Sequence, residues 1–346
     1  MNIKFLLLSL VLFSVLFRAN AFSGEYPKQL KTYNQLINKG VLAANDHHYV
    51  KSLRYFKKAF KAYPRGFPTH FRYALQICEI ANDHDFGYFC AENMLKYGLC
   101  IEFFQQYKIL QSDSARWEAF IKRFQASHSI DTQYAGLIDD LKYRDQDLRF
   151  YYYSTNLSEA EMDSLHKKRD EADSLHYIEF KELVLKDGFP SADLIGLSCS
   201  ENLKGINPPQ YDILLGHFSS HNVRNQNNVG LNELLSDALN NGNISSMEYA
   251  RFMDKVTSGL SFKIEPFLKI EDTYYVENLS KKALKEINNR RKEIGLFSYK
   301  DQIKLMQKYL KSENKFFIDI FSIHLVSPDD FPPEIVKKYF IELELY

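Results

Sequence analysis

Apolar positions recur at helical spacing through most of the chain, and caps mark the breaks between them. Met162, Leu165, Ala172, Leu175, Ile178 and Leu183 predict one long helix ending near Lys186. Ser158 and Glu161 form its opening capping box, Gly188 stops it and Pro190 prevents its resumption. Leu231, Leu234, Leu235, Ala238 and Leu239 make a second apolar face, ended by Gly242. Ser245 and Glu248 open a third helix with Tyr249, Phe252, Met253 and Val256 inward. The pattern then shortens to alternation. Phe262-Lys263-Ile264 and Tyr274-Tyr275-Val276 read as two short strands of a small hairpin around Pro266 and Asp272. Ser280 precedes a helix carrying Leu284 and Ile287 that stops at Gly295. Tail helices are expected over 299–310 and 331–339, and residues 128–158 read as a polar connector with a Tyr-rich end.

Residues 30–64 resemble a tetratricopeptide-type helical hairpin. Gly40, Tyr49, Phe56, Ala59 and Pro64 occupy the small, aromatic, aromatic, small and proline positions of a 34-residue unit. Ser52 stands where Ala is usual, and Lys39 where Leu is typical. A looser unit covers 67–98, and a third helix pair is expected over 101–124 with Trp117 as a core anchor. One repeat cannot bury its own apolar face, so neighbours must stack. The resemblance implies a docking surface for a protein partner.

The expected fold is therefore mainly α: a tetratricopeptide-like helical hairpin array followed by a helical module with a small β-hairpin. Three segments are expected: a signal peptide over 1–21, the array over 22–127 and the module over 128–346. Lys4, the 13-residue run from Phe5 to Phe17, and Ala19-Asn20-Ala21 read as a cleavable secretory signal. That run is short of the roughly 20 residues a membrane anchor needs. No Cys follows the cleavage site, and no later stretch is apolar enough to span a bilayer. The expected location is periplasmic or extracellular.

Net charge is zero but unevenly spread. Residues 22–127 hold 15 Lys and Arg against 9 Asp and Glu, whereas 128–346 hold 27 against 35. The overall balance excludes a dedicated nucleic-acid binder. The asymmetry suggests either mutual attraction of the halves or separate partners. Lys51, Arg54, Lys58 and Lys61 recur along one helix face, within a 51–72 stretch that has seven bases and no acid. That face is either a binding stripe for an anionic partner or a solvated outer surface. Cys78, Cys90, Cys100 and Cys199 have no metal spacing. Export permits a Cys90–Cys100 bridge, and buried thiols are the alternative.

A second resemblance lies between Leu185 and Tyr299. Asp187-Gly188-Phe189-Pro190, Leu194-Ile195-Gly196, Gly216-His217-Phe218, Asp254-Lys255-Val256 and Arg291-Lys292-Glu293-Ile294-Gly295-Leu296 follow in order. This series resembles the bacterial domain of unknown function 6624. Gly216 stands where that family has Gln, and Lys255 replaces its Arg. The resemblance implies a module and no activity.

The candidates for chemistry are His217, Asp254 and Arg291, with His221 four residues beyond His217. No metal is expected, because the glutamate partner of two-His motifs is absent, and no cofactor motif is present. Asp254 and Arg291 equally suit a structural ion pair between two helices. His166 and His176, in repeated Asp-Ser-Leu-His segments, are expected to be solvated. Two functions stand open: an exported interaction or scaffold protein, or an enzyme of unknown reaction built around His217, Asp254 and Arg291.

Overall fold

A computed structural model describes residues 26–126, 130–154, 158–199, 206–225, 230–257, 261–264, 267–311, 323–326, 336 and 340–343. The expected signal lies outside these residues.

Four helices come first: α1 (Lys28–Asn45), α2 (Tyr49–Ala62), α3 (Pro68–Ala81) and α4 (His84–Met94). They form two helix pairs. Gly40 is what lets α1 and α2 approach. A Cβ there would meet the Phe56 ring at 3.0 Å. Ser52 Oγ donates to the Gly40 carbonyl at 2.8 Å, so the residue replacing Ala has its own role in the pair. Phe56 and Ala59 are fully buried, and Phe60 stacks on Phe71 of α3 at 4.1 Å.

The expected third pair is instead two short helices, α5 (Ile101–Gln105) and α6 (Lys108–Gln111), followed by the longer α7 (Ser114–Ala126). Trp117 is only partly buried, and it stacks on the buried Phe120.

The polar connector expected over 128–158 is largely a helix, α8 (Thr132–Ser154), running beside α9 (Glu159–Asp187). Tyr134, Ile138, Leu141 and Asp145 form its buried face at spacings of four and three. The long helix α9 exists with its Ser158–Glu161 capping box, but only part of the expected stripe turns inward: Leu165, Ala172 and Leu183 are half-buried, with Leu183 against the core. Asp173, His176, Tyr177 and Phe180 are buried, while Met162, Leu175 and Ile178 are exposed. The aromatic pair decides this. Tyr177 and Phe180 pack on Phe218 at 5.6 and 5.8 Å, burying more apolar area than the aliphatic side chains would.

The short α10 (Ala192–Ile195) leads to α11 (Tyr211–Asn225), α12 (Leu231–Asn240) and α13 (Ser246–Val256). The Ser245–Glu248 capping box opens α13 as expected. The expected hairpin is present with its second strand in place, since β2 (Thr273–Glu277) covers 274–276, but its antiparallel partner is β1 (Phe267–Ile270) and not 262–264. Then come α14 (Lys281–Glu293) and α15 (Tyr299–Leu310). Two more strands enlarge the hairpin into a small sheet of order β3-β1-β2-β4, in which β3 (Ile323–Val326) is parallel to β1 and β4 (Phe340–Glu342) antiparallel to β2. The helix expected over 331–339 falls almost wholly outside the described residues.

One contiguous core runs from Tyr26 through all the helical pairs to Leu305. A satellite cluster of Phe267, Val276, Tyr299, Met306 and Leu343 lies under the sheet. No helix among the described residues is long and apolar enough to cross a membrane.

Candidate functional site

Asp254 sits near the end of α13 and Arg291 in the last turn of α14, both buried. They are not joined by a direct ion pair among the described contacts. Both grip the loop 261–264 instead. Asp254 accepts from the backbone N–H of Phe262 at 2.5 Å and of Ile264 at 2.6 Å. Arg291 donates to the carbonyls of Phe262 at 2.6 Å, Lys263 at 3.3 Å and Phe297 at 2.7 Å, and to the Gln302 side chain. The segment expected as a strand thus has its backbone groups satisfied by two side chains rather than by a ladder. Burial raises the Asp254 carboxyl, against its backbone donors and the Arg291 charge, and lowers Arg291 to about 10.

His217 lies elsewhere. Its Nδ1 is 2.7 Å from Oδ2 of Asp145, whose side chain is fully buried in α8. An ionised carboxylate only accepts, so Nδ1 of His217 is the donor in this bond. Arg149 bridges Asp145 at 3.3 Å and Asp173 at 2.5 Å, and His176 Nδ1 approaches Asp145 at 3.9 Å. Burial opposes ionisation of Asp145, but His176, His217 and Arg149 together hold its carboxyl well below the usual range. His176 is thus a buried member of this cluster and not a solvated residue. The side chain of His221 lies outside the described residues, and His166 is partly exposed. Among the described residues, no three His, Cys, Asp or Glu side chains could hold a metal ion.

A cleft of about 180 Å3 opens where the N-terminal pairs meet the later helices. Its walls come from α1 and α3 on one side, and from the starts of α11 and α13 and residues 295–297 on the other. Hydrogen bonds tie the two walls at its edge. Asn34 donates to Ser246 Oγ at 2.7 Å, Ser246 to the Ile294 carbonyl at 2.6 Å, and Asn38 to the Gly295 carbonyl at 2.6 Å. Gly295 itself has φ +77°, and a Cβ there would come within 2.9 Å of Asn34 Cβ. The Gly-Leu motif therefore serves as the seat of the late helices on α1.

His70 lines the same cleft. Tyr33 Oη accepts from Phe67 N at 3.3 Å and shares a hydrogen bond of 2.9 Å with His70 Nδ1. Burial pushes the imidazole down to about 3, so it stays neutral. None of His217, Asp254 and Arg291 lines this cleft.

Lys51, Arg54, Lys58 and Lys61 are all exposed along the outer face of α2. Two of their neighbours in the basic stretch pair with acids of later segments. Lys57 pairs with Asp83 at 2.6 Å, and Arg65 with Asp193 at 2.8 Å.

The disulfide is Cys100–Cys199 and not Cys90–Cys100. Cys78 and Cys90 are buried thiols in α3 and α4. Leu197 N–H bonds to the Tyr97 carbonyl at 2.8 Å, laying the segment before Cys199 beside the one before Cys100. Contact between residues 99 apart leaves no trace in local spacing.

The residues that sequence reasoning missed are Asp145, Arg149 and Asp173, and the cleft residues Asn34, Asn38 and His70. Only the i,i+4 spacing of Asp145 and Arg149 gave a signal, and it reads as an ordinary surface pair.

No family model matches the chain, and neither does any curated protein or solved structure.

Proposed function

We propose that the chain is an exported interaction protein that holds a segment of a partner protein in the cleft between its N-terminal helical pairs and its later helices. The cleft carries this reading. It joins two separate parts of the chain, and its lining mixes aromatic rings with side-chain amides and the neutral His70. At about 180 Å3 it is smaller than the roughly 300–1,000 Å3 typical of small-molecule sites. Anchoring a partner's side chains suits it better than enclosing a substrate. The resemblance of the first pairs to tetratricopeptide repeats favours the same role. The Cys100–Cys199 bridge supports export, since such bonds persist in oxidising compartments. The exposed Lys51, Arg54, Lys58 and Lys61 offer a second surface, for an anionic partner.

A photo-crosslinking amino acid at Tyr73 tests the proposal. It should capture a partner in the native host, and Thr69→Trp, which fills the cleft, should abolish capture. Capture that survives Thr69→Trp places the partner elsewhere and sinks the reading.

One observation favours the enzymatic alternative around His217, Asp254 and Arg291. The Asp145–His217 hydrogen bond orients an imidazole as a general base is oriented. Against it, Asp254 and Arg291 spend their polar atoms on backbone. His217→Ala should leave partner capture intact. Loss of function with capture preserved would favour the enzyme.

A further inference from the structure

The helix α9 buries Asp173 and His176 and leaves several aliphatic residues exposed among its solvated charges. Leu175, Ile178 and Leu185 are 66, 53 and 78% exposed, at spacings of three and seven along one outer face. On the opposite face Asp173 and His176 are buried against Asp145 and Arg149. That network locks the rotation. Turning α9 to bury its aliphatic stripe would take Asp173 from Arg149 and His176 from the neighbourhood of Asp145, at a cost in lost pairing of buried charge. The chain cannot cover the stripe by rotating the helix.

We propose that α9 is a homodimer interface, packed antiparallel against α9 of a second copy about a twofold axis near Ile178. Charge favours this occupant. Glu171 and Lys186 are exposed on the same outer face, seven residues before and eight after Ile178. An antiparallel twofold places each Glu171 opposite the partner copy's Lys186, giving two identical ion pairs that bracket the apolar stripe. Lys186 reaches its own neighbour Asp187 at 3.4 Å and remains exposed, so it is available for such a pair. A lipid surface fits less well, because residues 128–187 hold 14 acids against 8 bases. Arg144 and Glu179 pair at 2.6 Å between α8 and α9, and Tyr143 next to Arg144 is also exposed. Three aliphatic side chains and one ring suit the small end of specific interfaces, about 1,200 Å2 in total, so a micromolar dimer is expected.

Sedimentation equilibrium of the purified full chain, disulfide intact, tests this. Wild type should dimerise in the micromolar range. Leu175→Asp and Ile178→Asp should each raise the dimer dissociation constant about tenfold or more, with helix content and melting unchanged. Glu171→Lys should weaken the dimer, and adding Lys186→Glu should restore it. That rescue requires the antiparallel pairing and not mere stickiness. A monomer at high micromolar concentration would overturn the proposal, as would a dimer indifferent to Ile178→Asp or a charge swap without rescue. A monomer that instead sediments with phosphatidylcholine vesicles would overturn it in favour of a lipid surface.

Discussion

Arg291→Ala should be among the most destabilising substitutions outside the apolar core. The side chain is completely buried, and its guanidinium serves the carbonyls of Phe262, Lys263 and Phe297 and the Gln302 side chain. Truncation leaves the Phe262 and Phe297 carbonyls as buried acceptors without their charged donor, each worth about 1.5–3 kcal/mol. It also removes the positive charge that favours ionised Asp254. Release of the desolvated cation returns part of this, so the net loss is about 3–5 kcal/mol. For a chain of this size that lowers the melting temperature by about 4–7 °C. Arg291→Lys should recover little, since one ammonium cannot span acceptors arranged around a planar fork. Thermal melts followed by circular dichroism, with urea titrations at 25 °C, give the number. A double cycle with Gln302→Ala should show strong coupling, because both side chains hold the same loop: Gln302 donates to the Ile264 carbonyl at 2.5 Å. An Arg291→Ala protein melting within about 2 °C of wild type would refute the clamp.

Stability should fall on acidification from pH 6.5 towards 3, because the unfolded His70 takes up a proton that the folded ring refuses until about 3. The slope due to this residue approaches about 1.4 kcal/mol per pH unit, and denaturant titrations of His70→Gln should lack it. Non-reducing peptide mapping should recover Cys100 linked to Cys199 with Cys78 and Cys90 as thiols, and Cys199→Ser should cost about 3–4 kcal/mol by freeing a long loop. Gly295→Ala should destabilise by more than about 1 kcal/mol in urea titrations, since a side chain at φ +77° also meets Asn34 on α1. Mass spectrometry of protein from its native host should find Phe22 as the first residue, and a retained Met1 would refute export through the Ala19-Asn20-Ala21 site.

The sequence by itself determined what depends on near neighbours. Ser158 with Glu161 and Ser245 with Glu248 open helices where the capping rule places them, since the cap is made within four residues. Gly40 and Phe56 announced a helical hairpin because small and large residues must face each other across a short turn. Gly295 announced the stop of the helix that carries Arg291. What side chains do across the fold was not legible. The direction of α9 depended on Phe218, 41 residues beyond Tyr177, and on Asp145 in a segment too polar to read as a helix face. Arg291 and Asp254 were visible as a pair, yet their partner is a loop whose backbone they satisfy in place of a strand. The Cys100–Cys199 bond and the cleft between α1, α3 and the late helices join residues about a hundred or more apart. Local pattern records propensity and capping, which act over a few residues. Only tertiary packing chooses among faces that are equally amphipathic, because that choice turns on which large side chains and which buried charges find partners.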